Sequence, residues 1–308
     1  MKSEQSVAIY FWLLLAPLFW GGAFVAAEHV ITEVPPITAA ALRFGVAGLI
    51  LLILVVWRGQ VNFNGIMKQW VPLFLMALTG IFGYNLFFFI GLDMTSAING
   101  SLIMATSPVF MTIGAVLFLH EEWNKRVGLG LILSLLGVLV VISQGSLATI
   151  VQLDFNRGDL LFIGGLICWV SHGLLGKMVM REVSPLITTT VTTIIGSILL
   201  VVTSVIENGW QTVPQMSLQG WGEMLFMVIC SSVIAFLVWN QGIQQVGASK
   251  ASIYMNLVPV STALIAVFIY GSVITVTQML GMLIVIIGIY VVTIHPYVSK
   301  WVDKQTIL

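Results

Sequence analysis

Arg43 stands about seven residues into an otherwise apolar run, roughly 10 Å along a helix at 1.5 Å per residue. A charge at that depth costs several kcal/mol (about 3 by insertion scales) unless it finds partners. Two readings follow: a grip on a solute carboxylate, or bonds to carbonyls freed by a nearby kink or to Glu28 or Glu33. Trp169 and His172 are three residues apart, which puts them on one helix face beside the space left by Gly165. An indole and an imidazole there suit an apolar or aromatic body. His172 can also titrate near neutral pH, which makes it the leading residue for proton coupling. Trp20, Tyr84, Asn85, Trp239, Asn240, Tyr254 and Asn256 are the other aromatic and polar groups inside apolar runs, and together they describe a cavity that is polar but mostly uncharged. Pro17, Pro108 and Pro259 are expected to break their helices, because each removes a backbone N–H and disturbs the carbonyl four residues back. Met104, Met111, Met224 and Met227 read as gap-fillers.

An enzyme needs clustered acid, base or nucleophile groups, and here they are scattered. His120 and Glu121 are adjacent at the edge of a run, His172 is alone, Ser171 points away from it, and His295 is near the end of the chain. No metal-ligand spacing involves Cys168 or Cys230, and no metal or cofactor is expected. An intramembrane enzyme is therefore the weakest of the functional readings.

The elements that must position these residues are apolar almost throughout. Of 308 residues, 59% are hydrophobic and only 8% are charged, against roughly 25% charged in soluble domains. That composition excludes a soluble enzyme, a nucleic-acid binder and a disordered chain; the bilayer is the partner that fits. About 20 apolar residues make a span, and the runs separate at 8–27, 36–57, 70–92, 97–119, 127–143, 159–180, 185–206, 222–243, 250–271 and 275–295. The expected fold is an all-α polytopic membrane protein with ten transmembrane helices. Lys2 and Ala26-Ala27 imitate a signal peptide, but Pro17, Trp20 and Gly21-Gly22 favour a retained helix. Trp57, Trp70 and Trp221 read as interface anchors. If the spans alternate, Lys2, Arg58, Lys68, Lys125, Arg126, Lys177, Arg181, Lys250, Lys300 and Lys304 share one side and Arg157 alone lies on the other. The positive-inside rule then makes both termini cytoplasmic.

The chain also repeats itself. Trp20 and Trp169 are 149 residues apart, as are Pro36 and Pro185. From the third run on the offset is 151: Gly91 with Gly242, Ala97 with Ala248, Ser101 with Ser252, Pro108 with Pro259, Gly130 with Gly281, Gly137 with Gly288. Residues 1–147 and 148–308 thus form two units of five spans each. Five is odd, so the second unit enters the membrane from the opposite side. Such inverted repeats support alternating access, with the site near the bilayer middle where paired breaks occur.

The ordered set Phe19-Trp20-Gly21-Gly22, Pro36, Leu42-Arg43-Phe44, Ser107-Pro108, Glu121, Gly130 and Gly137 resembles the EamA family of the drug/metabolite transporter superfamily. Trp169, Pro185, Val258-Pro259, Gly281 and Gly288 continue the resemblance through the second unit. Ser272 stands opposite Glu121 and Thr192 opposite Arg43, so roles resting on those two residues belong to one unit only. The resemblance implies a ten-helix exporter of the bacterial inner membrane, with a central cavity for small metabolites, often amino acids. No acid lies deep in the first run, which argues against cation–proton antiport, and the interior lacks the several bases a phosphorylated cargo requires. A neutral or zwitterionic solute remains. A passive facilitator is the alternative, and the sequence does not determine the oligomeric state.

Overall fold

The computed structural model describes residues 2–60, 62–95, 100, 103–143, 156–270 and 275–293. Ala97, Ser101, Asp154, Ser272, His295, Lys300 and Lys304 lie outside the described residues. Among the described residues the chain is helical, with no strand. In chain order the long helices are α1 (Ala8–Glu33), α2 (Pro36–Trp57), α3 (Trp70–Met94), α4 (Ile103–Leu119) and α5 (Lys125–Ser143). They are followed by α6 (Arg157–Val179), α7 (Pro185–Glu207), α8 (Leu218–Val246), α9 (Leu257–Tyr270) and α10 (Val276–Thr293). Seven of the described helices are long and apolar enough to cross a membrane: α1, α2, α3, α6, α7, α8 and α10.

The helix starts follow local chemistry. Pro36 and Pro185 occupy the first turn, where a missing N–H costs nothing. Asn156 and Asp159 form a capping box at the head of α6, each side chain accepting from the other's backbone N–H. The helix ends differ from the sequence expectation at α1, which continues from residue 27 to Glu33. The turn 28–33 continues the helix through polar residues such as Glu28, His29 and Glu33, so apolar length underestimates helix length. The prolines differ as well. Pro108 and Pro259 do not kink the middle of continuous helices; each lies in the first turns of an α segment. A turn at Thr106 interrupts the chain two residues before Pro108, and the 3-10 stretch Ile253–Asn256 precedes α9. The missing N–H falls where the hydrogen-bond pattern already changes. Pro17 follows a break at Leu14, between Leu13 and Leu15.

Two segments depart from the α pattern inside long helices. Ala77–Gly83 of α3 and Met227–Ile234 of α8 are wound as π-helix, and their last residues are 151 apart. A π turn inserts a residue and loosens the ladder of carbonyl partners, a geometry frequent at functional sites. Side chains from other helices take carbonyls in or beside each stretch: His172 Nδ1 lies 3.0 Å from Met76 O, and Trp20 Nε1 donates to Ser231 O at 3.1 Å.

Packing pairs α5 with α10, α2 with α7, α3 with α6 and α1 with α9. The first pair meets through four glycines. A Cβ on Gly137 would fall 2.7 Å from Gly281 O, and one on Gly130 2.7 Å from Gly288 O. With 130 opposite 288 and 137 opposite 281, the two helices run antiparallel, backbone against backbone. Lipid supplies no hydrophobic drive between helices, so this close approach and the dispersion contact it permits hold the pair together.

Candidate functional site

The largest aromatic cluster among the described residues is built by α1, α3, α6 and α8. Trp20 meets Trp169 edge-on at 5.1 Å and Trp239 at 5.3 Å between ring centroids. Tyr84 tilts against Trp169 at 5.3 Å, and Phe236 lies 5.6 Å from Trp20. Edge-on and offset pairs at these distances are the favoured quadrupole arrangements, so the rings brace one another. Trp20, Tyr84, Trp169 and Phe236 are on the wall of a cavity of about 30 Å³. That is room for one or two waters and for no metabolite.

The wall draws on α1 (Trp20, Ala23, Phe24), α2 (Arg43), α3 (Tyr84, Asn85, Phe88) and the head of α4 (Met104, Ala105). It is completed by Trp169 of α6, Phe236 of α8, and Met255, Val258 and Pro259 around the start of α9. Of the residues singled out in the sequence, Trp20, Arg43, Tyr84, Asn85, Trp169 and Pro259 meet here. Trp239 is fully buried one layer back, 5.6 Å from Trp169. His172 is also behind the wall, its ring stacked on Trp169 at 5.9 Å and 18°. A Cβ on Gly80 would overlap the imidazole, so that glycine of the π stretch makes the room His172 occupies.

The remaining amides bond away from the cavity through their nitrogens, while their oxygens, Asn240 Oδ1 and Asn256 Oδ1, are buried without a partner. Asn240 Nδ2 donates to Thr189 Oγ1 of α7 at 2.8 Å, and Asn256 Nδ2 to Ser134 Oγ of α5 at 2.7 Å. Tyr254 faces a separate apolar groove of about 440 Å³ between α1, α9 and α10. Neither Pro17 nor Pro108 lines the cavity. The sequence reading missed Phe24, Phe88 and Phe236, which look like any other apolar residue, and it took Met104 for a filler although it lies on the wall.

Arg43 is 4% exposed. Its Nε donates to Ser232 Oγ at 2.8 Å, inside the π stretch of α8, and its guanidinium carbon lies 4.9 Å from the Phe44 ring centroid. The sequence offered Glu28 or Glu33 as partners, and the structure gives it neither. Glu33 accepts instead from Ser217 N at 2.8 Å and Ser217 Oγ at 2.6 Å, at the head of α8. Asn85 Nδ2 is turned to Ile81 O at 2.8 Å, while Trp169 Nε1 is buried without a partner.

Three carboxylates tie helix ends together on the two sides of this arrangement. Pro36 cannot donate and α2 has no side-chain cap of its own; Glu207, at the end of α7, accepts from Ile37 N (2.9 Å), Thr38 N (2.7 Å) and Thr38 Oγ1 (2.9 Å). Glu33 does the same for α8, and His29 sits between it and Glu223, with Nδ1 2.6 Å from the latter. At the opposite end Glu121 accepts from Ala248 N at 2.8 Å and Ser249 Oγ at 2.6 Å. Each is a charge-assisted bond to the positive end of a helix. Each also joins a helix from 8–119 to one from 185–252. Lys177 adds bonds to the last carbonyls of α8, at Ile243 O (3.0 Å) and Gln244 O (2.7 Å).

Comparison with known proteins places this geometry. The sequence model of the EamA-like transporter family matches residues 7–143 and, separately, 156–294. A Bacillus subtilis protein described as the uncharacterized transporter YyaM is 37% identical over 96% of this chain and 97% of its own. A second from the same organism, YrdR, is 29% identical over 96% and 94%; an uncharacterized transporter of Archaeoglobus fulgidus is 27% identical over 91% and 96%. One solved crystal structure, at 18% identity, superposes with a TM-score of 0.76 over 94% of this chain and 97% of that one, a likeness of fold alone. The chain belongs to the EamA-like transporter family, and it is a multi-pass membrane transporter.

Proposed function

We propose that the protein exports a small neutral or zwitterionic metabolite, an amino acid or a related compound, from the cytoplasm by alternating access through the cavity around Trp169. In this reading all ten long helices cross the cell (inner) membrane, residues 1–147 and 148–308 are its two inverted units, and both termini are cytoplasmic. Export as the direction comes from the family resemblance, and the sidedness from the basic residues. The protein is a carrier and not an enzyme.

The observation that carries the reading is an aromatic cavity of about 30 Å³ in a bundle whose helix ends are tied across the two units by Glu33, Glu207 and Glu121. A channel keeps a continuous path; a carrier needs a closed state between its two open ones. In this closed state Glu33 and Glu207 hold the outer end and Glu121 the inner one. Opening either end releases one set while the other holds. The resulting space widens between the α1–α4 and α6–α9 walls, with the π stretches of α3 and α8 as the segments able to change their winding.

The test is counterflow in proteoliposomes with labelled neutral, aromatic and acidic amino acids. Uptake of one class by the wild type, with at least a tenfold loss in Trp169→Ala, supports the reading. A folded, correctly oriented sample that moves none of them opposes it. Accumulation against a gradient under an imposed pH difference separates active export from the second reading, passive facilitation. Proton coupling through His172 predicts that His172→Gln keeps counterflow and loses that accumulation.

A further inference from the structure

We infer that Trp20 and Trp169 are positioning residues that latch the two π stretches in turn. In the state described here Trp20 Nε1 holds the stretch of α8 through Ser231 O. In the state that opens the other way, Trp169 Nε1 takes Gly80 O on the stretch of α3 and Trp20 lets go. This rests on the reading of two inverted units that alternate.

The two π stretches are one structure made twice. Tyr84 N–H bonds Thr79 O and Ala235 N–H bonds Cys230 O, and donors and acceptors alike are 151 residues apart. α6 packs on the first stretch as α1 packs on the second. Trp169 is the mate of Trp20 at the offset of 149, and Ser231 that of Gly80 at 151. The indole contacts nevertheless differ. Trp20 Nε1 donates to Ser231 O at 3.1 Å, whereas Trp169 Nε1 is buried without a partner. α6 reaches the α3 stretch through His172 Nδ1, 3.0 Å from Met76 O, a contact the other unit lacks because Ala23 stands opposite His172. Ser231 Oγ also bonds Phe19 O at 2.8 Å, and Gly80 offers no hydroxyl in return. The indole is thus the part of the tie that both units can make.

A buried N–H without an acceptor has given up its water for nothing, so a conformation that supplies Trp169 with an acceptor is favoured over one that does not. Gly80 O is the acceptor the repeat points to. A carbonyl oxygen has two lone pairs and takes a second donor beside its helical one. Asn85 Nδ2 approaches it at 3.5 Å but makes its short bond, 2.8 Å, with Ile81 O, which leaves Gly80 O room for a nearer donor. In an inverted repeat the two open states arise as the halves exchange conformations. That exchange makes the Trp169–Gly80 bond and breaks the Trp20–Ser231 bond. The two rings meet edge-on at 5.1 Å on the cavity wall, so a swing of one shifts the other.

The experiment is maleimide labelling of the full-length protein from each side of oriented vesicles. Cys168 and Cys230 are replaced by Ser, and Ala105 of α4, on the cavity wall, is changed to Cys. The quantity read is the ratio of outer to inner labelling rates. Trp20→Phe removes the tie made here and should shift that ratio about two- to fivefold in one direction. Trp169→Phe should shift it by a similar factor in the other, and the double variant should return to within about twofold of the parent. Replacing each Trp by 3-benzothienylalanine, which keeps the ring and loses the N–H, should give the same signs; thermal melting of each variant confirms folding. Shifts of the same sign, or none with Trp169→Phe, overturn the inference while alternation stands. If the parent itself labels from one side only, alternation fails and the latches with it.

Discussion

Arg43 and Trp169 line the cavity wall, and in the proposed reading it is the Trp169 ring, more than its Nε1, that meets the solute. Trp169→Phe keeps a ring against Trp20 and Trp239 and removes only the Nε1 donor, so it should retain most counterflow activity, whereas Trp169→Ala should lose at least tenfold; the two are compared in the same liposome assay. Asn256→Ala makes the opposite case. Its amide spans α9 to α5 through Ser134 and does not line the cavity. Its loss should cost about 1 kcal/mol of stability and leave the KM of the transported solute unchanged, read by thermal unfolding and initial-rate kinetics. The sequence singled out both residues because rare groups stand out in hydrocarbon. It could not say which of them had found partners. Asn240, Asn256 and His172 are tied to Thr189, Ser134 and Met76, contacts set by helices far apart in the chain. Phe24, Phe88 and Phe236 line or brace the cavity, yet in a chain with 17 Phe they carry no signal.

At the scale of elements, helices were legible because hydrocarbon demands uninterrupted apolar length, and the glycine pairs of α5 and α10 because proximity demands absent side chains. The π stretches were not legible: Ala77–Gly83 and Met227–Ile234 hold no distinctive residues, and their winding accompanies carbonyls taken by Trp20 and His172 from other helices. Gly137→Ala would place a methyl 2.7 Å from Gly281 O, a backbone atom that cannot swing aside. It should destabilise the protein by about 1–3 kcal/mol, measured as a lower unfolding midpoint in detergent. Lys68 and Gln69, before α3, hydrogen-bond Glu182 between α6 and α7 and hold its carboxyl below the ordinary range. The sign follows: a depressed folded value means that this link contributes above the unfolded value, about 4.3, and is lost as pH falls through the folded one. Glu182 is solvent-exposed, so the effect is small. The Tm difference between wild type and Glu182→Gln should be visible at pH 7 and shrink as the pH falls below the unfolded value of about 4.3.

The whole molecule is a bundle around an aromatic cavity, with carboxylates tying helix ends together across helices distant in sequence. The family match and the apolar helices make it a membrane transporter; alternation between two open states is the claim that most needs a direct test. The measurement is cysteine accessibility in oriented vesicles. Cys168 and Cys230 are replaced by Ser, Ala23 on the cavity wall is changed to Cys, and a membrane-impermeant maleimide is applied from one side or the other. Alternating access predicts labelling from both sides, slowed by the transported solute, with Glu207→Gln raising the rate from the outer side and Glu121→Gln from the inner. Labelling from one side only, insensitive to solute and to both carboxylates, would contradict it.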